Sequence, residues 1–556
     1  MLEVSPPAQG ASQMKSLDPQ IFLHAIGTLG VALMLTSPLV AAATSAAVKD
    51  GPVLQIGENI ANADTAYGKV RGFVLNGIFA FRGIPYGADT SGENRFMPPK
   101  KPAPWTGIRP AYWWGHSAPQ DMNNRYASPF YSFVDHWNYD EVSEDCLRLN
   151  VWTPALKDAK KRPVMVWLHG GGFSAGNGIE QDGYDGENFA RLGNAVYVSV
   201  NHRLGAIGFS DFAGVDPKFA HSGNVGMLDI VAALEWVRDN IANFGGDPNN
   251  VTIMGQSGGG AKVCTLMAMP SAKGLFHKAV ALSGTSLGGV PKARAEKLGA
   301  KILSEVGLTA ADMGKLQQMP WAEYQLLAAK AAQKLAQEEP AKGRQGFAPV
   351  SDGLDLQETF FADGLSNAVP TIFCSTFNEQ SPSREDASLE AITWDQVKEK
   401  LKPRYAGKAG SIVDAYAKAF PKAKPVEIWS LVSSNRQGVV TAANAKAAQK
   451  APVYMAWFGW QPPLFDNRMR AFHCADISFW FYNTDRMYTH TGGGARPRKL
   501  SAAMAKTLIQ FMRTGNPNGG GLPKWPVYTP EKGETMVLDD VSKTQNDPDR
   551  EARKAL

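Results

Sequence analysis

The chain has 556 residues, 44% of them hydrophobic and 20% charged, an ordinary balance for a protein with a large buried core. A formal net charge of +5, spread thinly with no dense Lys/Arg block, excludes an electrostatic nucleic-acid binder. Cys146, Cys264, Cys374 and Cys474 stand far apart with no CxxC, which excludes a disulfide scaffold, a structural zinc site and a thioredoxin-like site; no metal or cofactor is expected.

Residues 1–47 read as a secretory signal peptide. Lys15 precedes an apolar run from Ile21 to Ala43, which ends in small residues from Ala41 to Ala47. Met14-Lys15 makes a more usual start than Met1. The competing reading is an uncleaved anchor over residues 21–43, since the run approaches the ~20 residues a spanning helix needs. His24 and Pro38 interrupt it, so cleavage is favoured, with a secreted or periplasmic product and no stable membrane insertion thereafter.

Residues 48–545 read as a single domain. From Val53 to Gly115 short strands and turns alternate. Leu147 to Pro154 is a strand, and Pro163 to Leu168 is an almost wholly apolar one, suited to the buried centre of a sheet. It runs into His169-Gly170-Gly171-Gly172-Phe173, where triple glycine allows close backbone approach to a small group. Ala195 to Asn201 is the next buried strand, and Asn224 to Asn243 has a helical pattern with Leu228, Val231, Leu234 and Val237 on one face. Asp247 to Asn250 reads as a turn. Strands follow at Val251–Met254, Val280–Ser283, Pro370–Ser375 and Pro452–Trp457. This strand–helix alternation predicts an α/β fold, a large, mostly parallel twisted sheet with helices on both faces. Residues 291–339, rich in Ala, Lys, Glu and Leu, read as a helical cap inserted over the sheet edge. Leu500 to Met512 is an amphipathic helix, and 546–556 a charged, frayed tail.

The centre of this pattern is Val251-Thr252-Ile253-Met254-Gly255-Gln256-Ser257-Gly258-Gly259-Gly260. A strand running into Gly-x-Ser-x-Gly and then a helix is the nucleophile elbow of α/β-hydrolases. Gly255 and Gly259 let strand and helix pack closely around Ser257, and the helix start places backbone N–H groups beside it. In such an enzyme the triple-glycine loop serves the oxyanion of a tetrahedral intermediate.

Ser257 needs a base, and the base an orienting acid, in the order Ser, acid, His. His277 precedes a strand and faces the wrong sheet edge; His490 lies in a glycine-rich loop further on; His473, shortly after a buried strand, is the best base. Glu379, just past the strand ending at Ser375, is the favoured acid, with Asp352 and Asp363 allowed by spacing.

The chain resembles the type-B carboxylesterase family, which includes the cholinesterases. The likeness is carried by Phe81-Arg82-Gly83-Ile84-Pro85-Tyr86, Arg95 to Pro99, Ser143 to Trp152, His169 to Phe173, Asn201 to Gly205, Phe244 to Pro248 and the elbow, and covers about Tyr67 to Val541. It implies an α/β-hydrolase fold and a serine carboxylesterase with Ser257 as nucleophile, Glu379 as acid and His473 as base. It also implies an oxyanion hole from the N–H groups of Gly171, Gly172 and Gly258. A small-molecule ester is the expected substrate. A lipase or an esterase for one particular natural or xenobiotic ester or carbamate is the alternative, and a non-catalytic binding protein of the same fold the remote one.

Three departures stand out. The family commonly has Glu where this chain has Gln256, and a neutral amide speaks against a cationic head group, with Trp137 as counter-signal. It usually has Ala where this chain has Gly258. It often pairs a cysteine at the place of Cys146 with one upstream, where this chain reads Ala118-Pro119-Gln120, so Cys146 is expected to be free. Arg496 and Arg498, near Gly492-Gly493-Gly494, are placed to meet an anionic substrate or, as the favoured reading, lie at the solvated surface.

Overall fold

A computed structural model of the protein describes residues 52–121, 129–134, 141–341, 343–362 and 364–556. The expected signal peptide, Trp137 and Asp363 lie outside the described residues. The fold is built on a 12-stranded sheet. Its strands, in chain order, are β1 (Leu54–Gln55), β2 (Phe73–Leu75), β3 (Ile78–Pro85), β4 (Arg148–Thr153), β5 (Arg162–Leu168) and β6 (Val196–Val200), followed by β7 (Gly246–Gln256), β8 (Lys278–Leu282), β9 (Thr371–Thr376), β10 (Val453–Phe458), β11 (Glu534–Leu538) and β12 (Lys543–Asn546). They lie in the order β1-β2-β3-β4-β6-β5-β7-β8-β9-β10-β11-β12. From β6 to β11 every neighbouring pair is parallel. The pairs outside that block are antiparallel.

The apolar runs are strands because both sheet faces are covered. Side chains alternate across a strand, so Val164, Val166 and Leu168 of β5 join Val196, Val198 and Val200 of β6 in one apolar layer. Met165, Trp167 and Tyr197 join the other. The first layer is closed by Met227, Ile230, Leu234 and Val237 of the helix Val225–Asn240 and by Val263 and Leu266 of the helix Gly258–Leu266. The second is closed by Leu500, Met504, Leu508 and Phe511 of the helix Ala495–Thr514. That last helix ends on Gly515, whose φ of +75° only glycine adopts without strain.

The helices Lys292–Ser304, Met313–Gln318 and Trp321–Glu338 pack with Phe96, Ile207 and Phe212 into their own small core. A second helical layer has no counterpart in the sequence reading. The helices Trp394–Tyr405, Ala409–Ala419 and Pro425–Ser433 bury Val397, Ile412, Val413 and Ile428 against Trp457 of β10. The segment Asp247 to Asn250, read as a turn, lies within β7 as an irregularity, where the pairing with β5 shifts between Gly246 and Val251.

The charged tail is not frayed. Residues 543–546 form the outer strand β12, and Ala552 and Asp549 are buried. The charges are paired rather than solvated: Arg553 Nε lies 2.9 Å from Asp549, which also faces Arg436 at 3.4 Å. Among the described residues, no helix is long and apolar enough to cross a membrane.

Candidate active site

The parallel register brings the strand ends to one edge. Gly255 pairs with Leu168, Gln256 with Leu282 and Leu282 with Cys374, so the loops after β5, β7, β8 and β9 emerge side by side. Ser257 follows β7 directly and is pinned by its own N–H, which donates to Leu282 O at 2.8 Å. Its φ of +56° and ψ of −122° are unusual for a residue with a side chain, a strain of about 1–3 kcal/mol that the surrounding packing must hold. Glycines make this packing possible. A Cβ at Gly255 would meet Gly259 C at 2.4 Å, and one at Gly259 would meet Leu168 O at 2.0 Å. Helix, elbow and β5 therefore close on one another backbone to backbone.

The loop after β5 lies against this elbow. Gly171 and Gly172 have φ of +77° and +64°. A Cβ at Gly258 would lie 2.1 Å from Gly172 O, which measures how tightly the two glycines abut. The loop is held from behind. Lys262, one turn into the elbow helix and fully buried, donates from Nζ to His169 O at 3.0 Å. Burial lowers its pKa to about 7, against which Glu180 works by favouring the charge. His169 stacks on His202 with ring centres 5.0 Å apart. Beyond the glycines, Gly205 N–H donates to Phe173 O at 2.8 Å. Gln120 brackets Gly176, donating to its O at 3.1 Å and accepting from its N–H at 2.8 Å. This pair fixes the segment next to Ala118, where the expected cysteine is missing. Cys146 is a free thiol.

Glu379 and His473 are brought together. Glu379, just beyond β9, accepts from Thr376 N–H at 2.9 Å with Oε1 and takes the Nδ1–H of His473 with Oε2. Asn378 N–H donates to Ala471 O at 3.0 Å, tying the two loops. Burial opposes charge on the imidazole, but Cys474 and Glu379 outweigh it and hold His473 well above its ordinary value. Among the described residues Ser257 and His473 share no hydrogen bond; the imidazole meets the elbow at Gln256, whose Nε2 lies 3.4 Å from His473 Nε2. The Cys474 thiol donates to Gln256 Oε1 at 3.2 Å. Gln256 is therefore a buried neighbour of His473, a contact its sequence position does not reveal.

The other candidates lie elsewhere. Asp352 closes a local turn, accepting from the N–H groups of Leu354, Asp355 and Leu356, and its other oxygen takes Asn224 at 3.0 Å. His277 sits at the start of β8, where its Nδ1 accepts from Val251 N–H at 3.1 Å. The His490 ring packs edge-on against Phe472. Arg496 is paired with Asp540 at 2.8 Å and Arg498 with Asp485 at 3.0 Å. Two groups escaped the sequence reading. Asp476 is fully buried behind the Glu379–His473 pair, and burial, then the Glu379 charge, raises its pKa to about 6. Ser283, at the end of β8, is buried with a φ of +46° and an Oγ without a partner. Their only sequence signal is closeness to His473 and to a strand end.

A family model described as the carboxylesterase family matches residues 60–555. The chain belongs to the carboxylesterase family. It is similar to the para-nitrobenzyl esterase of Bacillus subtilis (strain 168), 32% identical over 510 residues that cover 88% of this chain and 97% of that protein. The phenmedipham hydrolase of Pseudarthrobacter oxydans is 31% identical over 86% of this chain and 95% of its own length. Among solved structures, an esterase from Clostridium hathewayi reported to hydrolyse aliphatic aromatic polyesters superposes with a TM-score of 0.78, at 32% identity over 90% of this chain and 99% of that one. A Geobacillus stearothermophilus carboxylesterase superposes at 0.73, with 32% identity, 89% of this chain and 99% of that one covered. The fold is that of the α/β-hydrolases, and this carboxylesterase is a hydrolase of carboxylic esters.

Proposed function

We propose that this carboxylesterase works through an acyl-enzyme on Ser257. His473 Nε2 takes the Ser257 proton as Oγ bonds to the ester carbonyl carbon. Glu379 holds the other ring nitrogen and stabilises the imidazolium. The N–H groups of Gly171, Gly172 and Gly258 hold the oxyanion, and the alcohol leaves with the proton from His473. Water, deprotonated by His473, then attacks the acyl carbon and releases the acid and free Ser257. The observation that carries this reading is the Glu379–His473 hydrogen bond beside a serine held at a strained elbow.

The test is Ser257→Ala with a p-nitrophenyl ester, paired with organophosphate labelling of the parent. Full activity in the variant sinks the assignment, as does labelling at another residue. The relatives' names make p-nitrobenzyl esters and phenmedipham the first specific substrates to try, and emulsified long-chain esters separate a lipase from an esterase. Export is proposed on the Ile21 to Ala43 run and its small-residue end; N-terminal sequencing of the mature protein from its own cell checks it.

A further inference from the structure

The segment that leaves the helix Trp321–Glu338 carries Arg344 and Gln345, and the two side chains take different neighbours. Gln345 turns to the helix Lys292–Ser304, where Arg294 Nη2 donates to its Oε1 at 3.3 Å. Arg344 turns to the loop after β5: its guanidinium carbon lies 5.2 Å from the centre of the Phe173 ring. It also faces the Cys264 thiol, whose ionisation its charge favours. Phe173 directly follows Gly171 and Gly172, and Cys264 lies on the helix that begins at Ser257. Arg344 therefore stands where the glycine loop and the nucleophile helix meet.

This guanidinium is incompletely compensated. Its Nη1 is buried without a hydrogen-bond partner, and among the described residues no carboxylate pairs with it. Burial presses against its charge. The Phe173 ring offers a cation–π contact, yet a ring face accepts none of the in-plane N–H bonds that a planar guanidinium presents. The group that satisfies such a fork is a carboxylate, which takes two parallel N–H bonds.

We propose that Arg344 is a specificity-determining residue that binds a carboxylate on the acyl part of the ester, so that half-esters of dicarboxylic acids are preferred substrates. The proposal rests on the Ser257 reading above, because that reading defines the two sides of the scissile bond. His473 must reach the leaving oxygen, so the alcohol lies toward the His473 loop. Phe173 and Cys264, the neighbours of Arg344, are then taken to line the acyl side.

The experiment compares kcat/KM for mono(p-nitrophenyl) glutarate, p-nitrophenyl pentanoate and 4-acetoxybenzoate, using the full chain and its Arg344→Gln and Arg344→Lys variants. In Arg344→Gln the glutarate-to-pentanoate ratio falls at least about tenfold, the worth of one charge-assisted hydrogen bond. Arg344→Lys keeps part of it, and the 4-acetoxybenzoate-to-pentanoate ratio stays put. A glutarate-to-pentanoate ratio unchanged within about twofold overturns the proposal, and a loss confined to 4-acetoxybenzoate overturns its acyl side. A measurement on the unaltered protein guards against misfolded variants: glutarate inhibits pentanoate hydrolysis at least about tenfold more strongly than pentanamide does, and equal inhibition overturns the idea. Failure of the catalytic reading shows separately, as pentanoate turnover that survives Ser257→Ala.

Discussion

A methyl group at position 258 has nowhere to go. Built on the Gly258 backbone, it meets Gly172 O at 2.1 Å and Gly172 N and Cα at 2.4 Å, all backbone atoms. Real Cβ contacts essentially never fall below 3.0 Å, so a shift on the order of 1 Å is required. The elbow helix cannot give it, because the helix is buried along its length and Gly259 lies against Leu168 O. The exposed glycine loop gives way instead, carrying Gly172 away from the proposed oxyanion site. A misplacement of ~1 Å costs about 10²-fold in rate, close to the ~10²–10³-fold of a lost oxyanion donor. Gly258→Ala is therefore expected to lower kcat about 100-fold with a much smaller effect on KM. Folding survives, since Ala gains up to ~1 kcal/mol over Gly within a helix. Steady-state kinetics on p-nitrophenyl acetate with a parallel thermal melt measure both. A variant that keeps kcat within about threefold while melting like the parent refutes the reasoning, because the loop then has room the contact distances deny. Relatives with alanine here are expected to seat the loop further from the helix.

Two further outcomes follow from the charges around the site. Cys474 and Glu379 hold His473 above its ordinary value, so the proposed base gives up its proton at higher pH than a free histidine, and the acid limb of kcat/KM is expected above pH 6.5, the ordinary histidine value. Glu379→Gln removes one source of that shift and moves the limb down while lowering kcat; a limb that stays in place removes Glu379 as the cause. Lys262 has a folded-state pKa of about 7 against an ordinary 10.5. Between these values the unfolded chain holds a proton the native protein lacks, so this group makes stability rise with pH by up to ~1.4 kcal/mol per unit. Urea unfolding of parent and Lys262→Met at pH 7.5 and 9 is expected to show the difference moving in the parent's favour by ~2 kcal/mol. A constant difference counts against a neutralised lysine.

What could be read from the chain was what local pattern controls. β5 and β6 are legible because a strand covered on both faces needs apolar residues at every position, and the elbow because its glycines are demanded by backbone contacts within a few residues. The tail misled for the opposite reason. A run of charges looks solvated unless its partners are known, and Arg436 lies 113 residues from Asp549. Likewise, the helices from Trp394 to Ser433 bury their faces against Trp457, which follows them in the chain. Glu379 and His473 could be ranked by strand order, yet the bond between them spans 94 residues and exists only once the parallel register is set.

Gln256 shows how a correct observation can carry the wrong consequence. Read along the chain, its missing charge bears on a cationic substrate. In the structure its side chain is 1% exposed and turned to His473 and Cys474. The missing charge is therefore missing from the surroundings of His473. A second carboxylate near the imidazole, at ~4 Å and an effective dielectric of about 20, would favour its protonated form by ~4 kcal/mol. His473 is already pushed up by Cys474 and Glu379, and a further push would move the acid limb to still higher pH. A neutral amide at this position adds no such push. Among the described residues, the charged group that meets Phe173 at the end of the glycine loop is Arg344.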